Sequence, residues 1–361
     1  MMESAEHISI KNCSFVNNIS TLILVTGGTG FLGAHLLVLL SEKETRIRAI
    51  HRASSSFDFV KKVFQLYAKK TEEQWSRIEW IQTDLLNIFE MEQALINVKQ
   101  VYHCAGEVSF DPRNKETIML NNAKATAQLV NLCLEVKDIR FCHVSSIAAI
   151  GRSRLDEVIR EDRFWKNDKN NSWYGITKYN AEREVWRGIE EGLDAVIVNP
   201  SVILGYCNWD EGTGKMFANV WNGLRFYTDG VTGWVDVNDV AKSMIICMEK
   251  GFRGERFIIT AENRPFRDVF SLIARGLNKK EATMKATPFL TQIAYLFEKL
   301  RAVFTGKEPL ISKETARSAH LECYYDNALF IQKTGFQYTP LEQTIADTAR
   351  LFLNDKNTNL V

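Results

Sequence analysis

Tyr174 and Lys178 stand four residues apart in Tyr174-Gly175-Ile176-Thr177-Lys178, within a run that reads as helix from Trp173 to Glu190. Positions i and i+4 share one helix face, so the ammonium can sit beneath the phenol. A free phenol has a pKa of about 10 and is a poor base at neutral pH. A nearby positive charge favours phenolate, which makes the pair an acid/base couple. The spacing alone is common. It gains weight from Ser145 and Ser146, which close a predicted strand from Ile139 to Val144, Ser146 lying 28 residues before Tyr174. A hydroxyl there can orient a carbonyl and stabilise the developing alkoxide. The alternative is that both serines only cap a strand. No Gly-x-Ser-x-Gly elbow surrounds either, which argues against a hydrolase nucleophile.

A second constellation binds phosphate. Thr26-Gly27-Gly28-Thr29-Gly30-Phe31-Leu32-Gly33 follows a predicted strand (Leu22 to Val25) and precedes a predicted helix (Phe31 to Leu40). Gly27 and Gly30 let the backbone approach a pyrophosphate, and Gly33 lets helix and strand pack closely. The helix N-terminus then offers free N–H groups and the positive end of its dipole. Thr29, Phe31 and Leu32 complete this cofactor-binding turn. The second strand, Arg46 to Ile50, ends in His51-Arg52 where an NAD site usually carries an acid. Arg52 can hold a ribose 2′-phosphate, so NADP(H) is favoured over NAD(H).

These groups need a scaffold. Further strands are expected at Ile78–Ile81, Gln100–His103, Ala195–Val198 and Arg256–Ile259, with helices at Phe57–Lys69, Met91–Ile96 and Thr117–Val136. Alternation of this kind predicts an α/β fold, a doubly wound parallel sheet covered on both faces. Every motif falls at a strand's carboxyl end, where such sheets bind ligands. The expected organisation is a disordered tail over 1–20 and a cofactor-binding domain over 21–204 to which 234–261 adds a strand and a helix. A smaller, mostly helical substrate-binding domain takes 205–233 and 262–353. Trp209, Phe217, Trp221, Phe226 and Tyr227 could wall the substrate site or form the second domain's own core.

Composition narrows the classes. The 361 residues carry 45 Lys+Arg against 44 Asp+Glu, a net charge of +1, which gives no footprint for nucleic acid. Seven scattered cysteines without a CxxC pair read as reduced thiols, hence a cytoplasmic protein. Dispersed histidines suggest no metal site. No apolar run is long enough to span a membrane. Pro288 to Phe304 reads as an amphipathic surface helix, expected to pack on its own domain in preference to a membrane.

Together these motifs resemble the extended short-chain dehydrogenases, the NAD(P)-dependent epimerase/dehydratase family. The nearest likeness is to dihydroflavonol-reductase-like and 3β-hydroxysteroid-dehydrogenase-like members. The resemblance rests on TGGTGFLG, Arg52, Asp84-Leu85, His103-Cys104-Ala105-Gly106, Val144-Ser145-Ser146, YGITK, Asn199-Pro200-Ser201 and Val235-Asp236-Val237-Asn238-Asp239-Val240, and spans about Leu22 to Phe352. It implies a Rossmann-type fold with Tyr174, Lys178 and Ser146 as the catalytic groups. Ser146 is preferred to Ser145 because, as in the family, it stands five residues before Gly151. It further implies that Asn122 supports the lysine through water, and that Asp84 bonds the adenine with Leu85 beside it. Cys104, Ala105 and Gly106 would line the cofactor's middle; Pro200, Ser201 and Val202 would flank the nicotinamide. Ala125 replaces the glycine of the family's helix motif. A homodimer built on the Thr117–Val136 and Trp173–Glu190 helices is also implied.

The expected function is NADPH-dependent interconversion of a carbonyl and an alcohol on a small or medium apolar substrate. A nucleotide-sugar epimerase or dehydratase using bound NAD is the alternative. Against it stand Arg52 and the stretch Thr232-Gly233-Trp234-Val235-Asp236, which lacks the arginine such enzymes usually carry there. A non-catalytic NADP-binding regulatory protein is a third possibility, disfavoured because tyrosine and lysine are both present.

Overall fold

The computed structural model describes residues 21–43, 45–109, 112–151, 157–168, 171–305 and 312–358. The expectation for the 1–20 tail lies outside them. Strand β1 (Leu22–Thr26) is apolar on both faces and wholly buried, as a central parallel strand must be. It leads through the glycine turn into α1 (Phe31–Ser41), then β2 (Arg46–His51), α2 (Asp58–Tyr67), α3 (Thr71–Ser76) and β3 (Ile78–Gln82). Next come α4 (Ile88–Leu95), β4 (Val98–His103), α5 (Lys115–Met119), a π-helical turn (Leu120–Lys124), α6 (Ala125–Val136) and β5 (Arg140–Val144). Helix α7 (Trp173–Glu190) and β6 (Asp194–Pro200) end the first part.

The main sheet has seven parallel strands, with β6, β5, β4, β1, β2 and β3 in that spatial order and a later strand outside β6. Order reverses between β1 and β4, so the crevice opens beside the glycine turn. Strand periodicity divides the core. Ile23 and Val25 face a cluster with α1 and α2, whereas Leu22 and Leu24 face one with α4, α6 and α7.

The chain then builds β7 (Val202–Leu204), α8 (Gly214–Trp221), β8 (Phe226–Tyr227), β9 (Val231–Asp236), α9 (Val237–Lys250) and β10 (Glu255–Ile259). Helix α9 packs on α1, and β10 is the strand outside β6. The Trp234 strand, β9, instead joins a small sheet with β7 and β11 (Glu262–Pro265). Helix α10 (Phe266–Gly276), β12 (Met284–Lys285), α11 (Pro288–Thr305), α12 (Lys313–Ser318), α13 (Ala328–Thr334) and α14 (Leu341–Thr358) complete the fold. A separate core gathers Phe217, Trp234, Ile273, Ile345 and Phe352 from α8, β9, α10 and α14.

Three helices differ from the sequence expectation. The one expected at Met91–Ile96 starts earlier, at Ile88, where the Asn87 side chain caps it by accepting from Glu90 N–H. The Phe57–Lys69 helix stops at Tyr67, and α3 follows, because the Gln74 amide accepts from Lys70 N–H and donates to Val38 O at 3.1 Å. The Thr117–Val136 helix is continuous but widens into the π turn around Asn122. Such turns displace one residue from the regular ladder and recur at functional sites.

Candidate active site

The glycine turn is shaped by contacts no side chain would allow. Gly27 has φ +70°, and a Cβ there would stand 2.7 Å from Ala105 N; one on Gly33 would stand 2.1 Å from Gly27 O. The turn is thereby pressed against the Cys104–Gly106 segment that leaves β4. Thr26 Oγ1 fastens the two, accepting from Ala105 N–H at 3.2 Å and lying 2.7 Å from His103 Nδ1. Thr126 donates its hydroxyl proton to Asn122 O, so His103 Nε2 must donate to Thr126, leaving Nδ1 to accept from Thr26. Burial holds this imidazole neutral, at about 3. Helix α1 starts at Phe31 with Gly30 as its cap, no capping side chain and no acid in the first turn. Its N-terminus is fit to receive a phosphate.

Beside this turn the catalytic candidates meet. Ser172 caps α7, accepting from Gly175 N–H at 3.0 Å. A Cβ on Gly175 would be 2.9 Å from Ala148 O, so the glycine inside YGITK lets α7 lie against the turn carrying Ser146. Ser146 and Tyr174 are hydrogen-bonded through their side chains. Lys178 is 5% exposed and donates to Val144 O at 2.6 Å. Burial lowers its ammonium to about 8, opposed by the Glu182 carboxylate. Burial raises the Tyr174 phenol, and the Ser146 bond works the other way. The sequence argument expected charge to lower it. Lysine and nicotinamide must therefore first overcome desolvation.

The two serines separate. Ser145 donates to Glu182 Oε2 at 2.6 Å and is committed to the interior, whereas Ser146 faces Tyr174. Asn122 is buried in the π turn. Its amide accepts from Glu107 N–H at 2.7 Å and donates to Glu107 O and Thr177 Oγ1. Its Oδ1 and Lys178 Nζ would lie 3.6 and 3.5 Å from a Cβ on Gly106, which places both at that glycine.

Sequence reasoning missed Glu182. It is 2% exposed and accepts from Ser145, Asn199, Trp186 and Arg256, the last an ion pair of 2.8 Å. Asn199 in turn donates to Ser146 O. The signal was available: Glu182 lies one helical turn beyond Lys178, and a buried carboxylate needs partners.

A cavity of about 750 Å³ joins these parts. It is lined by Gly27, Gly30, Phe31, Leu32 and Gly33 at one end, by Cys104, Ala105, Gly106, Ser146, Tyr174 and Lys178 in the middle, and by Pro200, Ser201 and Val202 opposite. The Ser201 hydroxyl is buried without a partner among the described residues, as a seat for a polar ligand group would be. The rest of the lining is mixed, with Val108, Ile147, Met216, Val231, Phe266 and Leu321 interspersed with Thr213, Lys215, Asn219, Thr232 and Thr315. Three of the five aromatics from the variable region form core and none of the five lines the cavity. Phe217, Trp209 and Trp221 belong to the second core, and Phe226 and Tyr227 do not line the cavity.

Arg52 and Asp84 lie away from this cavity, at the ends of β2 and β3. The Arg52 guanidinium is 3.6 Å from Asp84 Oδ2, each side chain 48% exposed. Ser55 N–H donates to Arg52 O and its hydroxyl accepts from Arg52 N–H, closing a tight turn. Leu85 is buried in the core beside Asp84. The six described cysteines are free, and burial pushes the Cys104 thiol up to about 12, unsuited to nucleophilic work. No described cluster of His, Cys, Asp or Glu is placed to hold a metal.

A doubly wound sheet with a glycine turn at its switch point, and serine, tyrosine and lysine converging beside it, defines an NAD(P)-dependent oxidoreductase. Residues 25–260 match the family described as Male sterility protein, an NAD-binding family, and the chain belongs to it, among the extended short-chain dehydrogenases. A Synechocystis sp. protein provisionally named dihydroflavonol 4-reductase is 28% identical, over 98% of both chains. A Medicago truncatula cinnamoyl-CoA reductase is 24% identical over 95% of this chain and 99% of its own. The crystal structure of gox2253 superposes with a TM-score of 0.76 at 26% identity, covering 93% of this chain and 99% of that one.

Proposed function

We propose that this enzyme is an NADPH-dependent reductase that interconverts a carbonyl and an alcohol on a small or medium apolar substrate, with Tyr174 as acid/base. The observation carrying this is the meeting of Ser146, Tyr174 and Lys178 in a cavity that also takes in the glycine turn and whose surface is more apolar than polar. The α1 N-terminus would hold the pyrophosphate, Lys178 the nicotinamide ribose, and Ser201 the carboxamide. Bound NADPH supplies the hydride. Ser146 orients the substrate oxygen, and Tyr174 delivers its proton to that oxygen as negative charge develops. Lys178, one turn below, stabilises the phenolate left behind. Asn122 holds the Glu107 and Thr177 groups around the lysine and acts as a positioning residue.

The epimerase alternative gains little from the cavity. Its lining cations are Lys178 and Lys215. Arg264, opposite Thr232 across β9 and β11, is bound to Glu262 and Glu342. For the cofactor, Arg52 supports NADP(H). The 2′-phosphate must compete with Asp84 for the guanidinium, but an exposed pair at this distance is weak. Dissociation constants for NADPH and NADH test the reading. NADPH should bind more tightly, and Arg52→Ala should weaken NADPH by about 1.5–3 kcal/mol, the worth of a charged hydrogen bond, while leaving NADH unchanged. Equal affinity for both cofactors in the native enzyme would overturn it.

A further inference from the structure

Helix α11 is amphipathic in the reverse sense. Its Thr291, Ala294, Tyr295 and Glu298 share the side turned to the protein, where Thr291 Oγ1 lies 3.0 Å from His320 Nε2 and the helix packs on α12. On the other side, Phe289, Leu290, Leu296 and Phe297 are exposed at 73%, 44%, 55% and 72%. Each residue turns the helix by about 100°, so these four and Ile293 fall within one arc of about 120°. The sequence keeps the register at Leu300 and Phe304. Met284 and Phe226, register partners in the β8–β12 pair leading into α11, are also exposed. Single exposed apolar residues are ordinary, but an ordered apolar helix face is not.

Charge narrows the occupant. Residues 279–317 hold eight Lys/Arg against four Asp/Glu, in a chain whose total is +1; Arg301 is paired with Glu298 inside the segment and Lys285 with Asp229 outside it, which still leaves the segment net positive. A second copy docked face to face would set these basic segments against each other. Anionic headgroups would complement them. Among the described residues no helix is long and apolar enough to cross a membrane, so the contact must lie in the interface plane.

We propose that α11 is a membrane-surface anchor whose apolar face enters the interface of an anionic bilayer, drawn there by the net positive charge of its segment. The placement bears on access to the cavity. Ser312, Thr315 and Ser318 of the α12 turn line it, and α12 is the element α11 packs on. Docking thus brings one cavity wall close to a reservoir of apolar molecules. The sequence expectation that this helix packs on its own domain holds for one side only.

The test is cosedimentation of the full chain with vesicles of phosphatidylcholine, alone or with one-third phosphatidylglycerol. Binding to the anionic vesicles should exceed that to neutral ones by at least about tenfold and fall as salt is raised. The double variant Phe289→Glu/Phe297→Glu should lose it with an unchanged melting temperature. Wild-type protein that stays in the supernatant, or a double variant that still binds, would overturn the proposal. So would a variant whose only change is from dimer to monomer in sedimentation velocity, which would assign the face to a second copy.

Discussion

Tyr174 and Lys178 differ in what they can lose. The phenol bonds Ser146 and is not required for phosphate recognition, whereas the buried ammonium serves both ribose and phenol. Tyr174→Phe should therefore lower single-turnover reduction of an accepted carbonyl by about 10²–10⁴ and leave NADPH affinity intact. Lys178→Ala should lose affinity as well as rate. Because burial holds Lys178 at about 8, the charged form persists below that pH and is lost above it. NADPH affinity and the reduction rate should both decline on the alkaline side of it. A Tyr174→Phe enzyme with native turnover would remove the phenol from the mechanism.

At the scale of elements, one carboxylate joins α7, β5, β6 and β10. Glu182 binds Ser145 after β5, Asn199 in β6 and Arg256 in β10, and Asn199 reaches the Ser146 carbonyl. Deleting one partner of a buried ion pair leaves the other uncompensated. Glu182→Ala should cost about 3–5 kcal/mol in urea unfolding. A loss under about 1 kcal/mol would mean that packing alone fixes these elements. A similar clamp holds the segment Tyr338–Pro340 before α14, where buried Asp239 of α9 accepts from the Thr339 amide and hydroxyl.

Across the whole molecule, buried histidines set the acid limit. Burial holds His35 at about 4 and His103 at about 3, and drives His143 well below its ordinary value; Lys178 adds to the last two. The unfolded chain protonates each near about 6.5. Between that pH and the folded values the unfolded chain binds more protons, so stability is full above about 6.5 and falls as pH drops. Each histidine steepens the fall by up to about 1.4 kcal/mol per pH unit. The melting temperature should drop markedly from about pH 6.5 to 5; a flat profile would show that these imidazoles protonate without unfolding. Assembly belongs to this scale too. Helices α6 and α7 pack side by side, with Leu120 and Val136 exposed on the first of the two helical runs. A homodimer through this surface should appear in sedimentation velocity at micromolar protein, and a strictly monomeric species would exclude it.

Much of this was legible along the chain because it is local. TGGTGFLG, YGITK and the strand-end Arg52 declare themselves through spacing, and period-2 and period-3.6 patterns place them at strand ends and on a helix. What the sequence could not decide depends on groups far apart in it. The resemblance prefers Ser146 to Ser145 by its spacing to Gly151, but only the folded chain supplies the physical reason: Glu182, 37 residues beyond Ser145, takes that residue's hydroxyl. Only it assigns Trp209, Phe217 and Trp221 to a core, because α10 and α14 must first arrive to cover them. Periodicity found the apolar stripe of α11, but which side of that helix meets the protein is decided by α12 and His320. Spacing states which residues can share a face; only tertiary packing determines what that face meets.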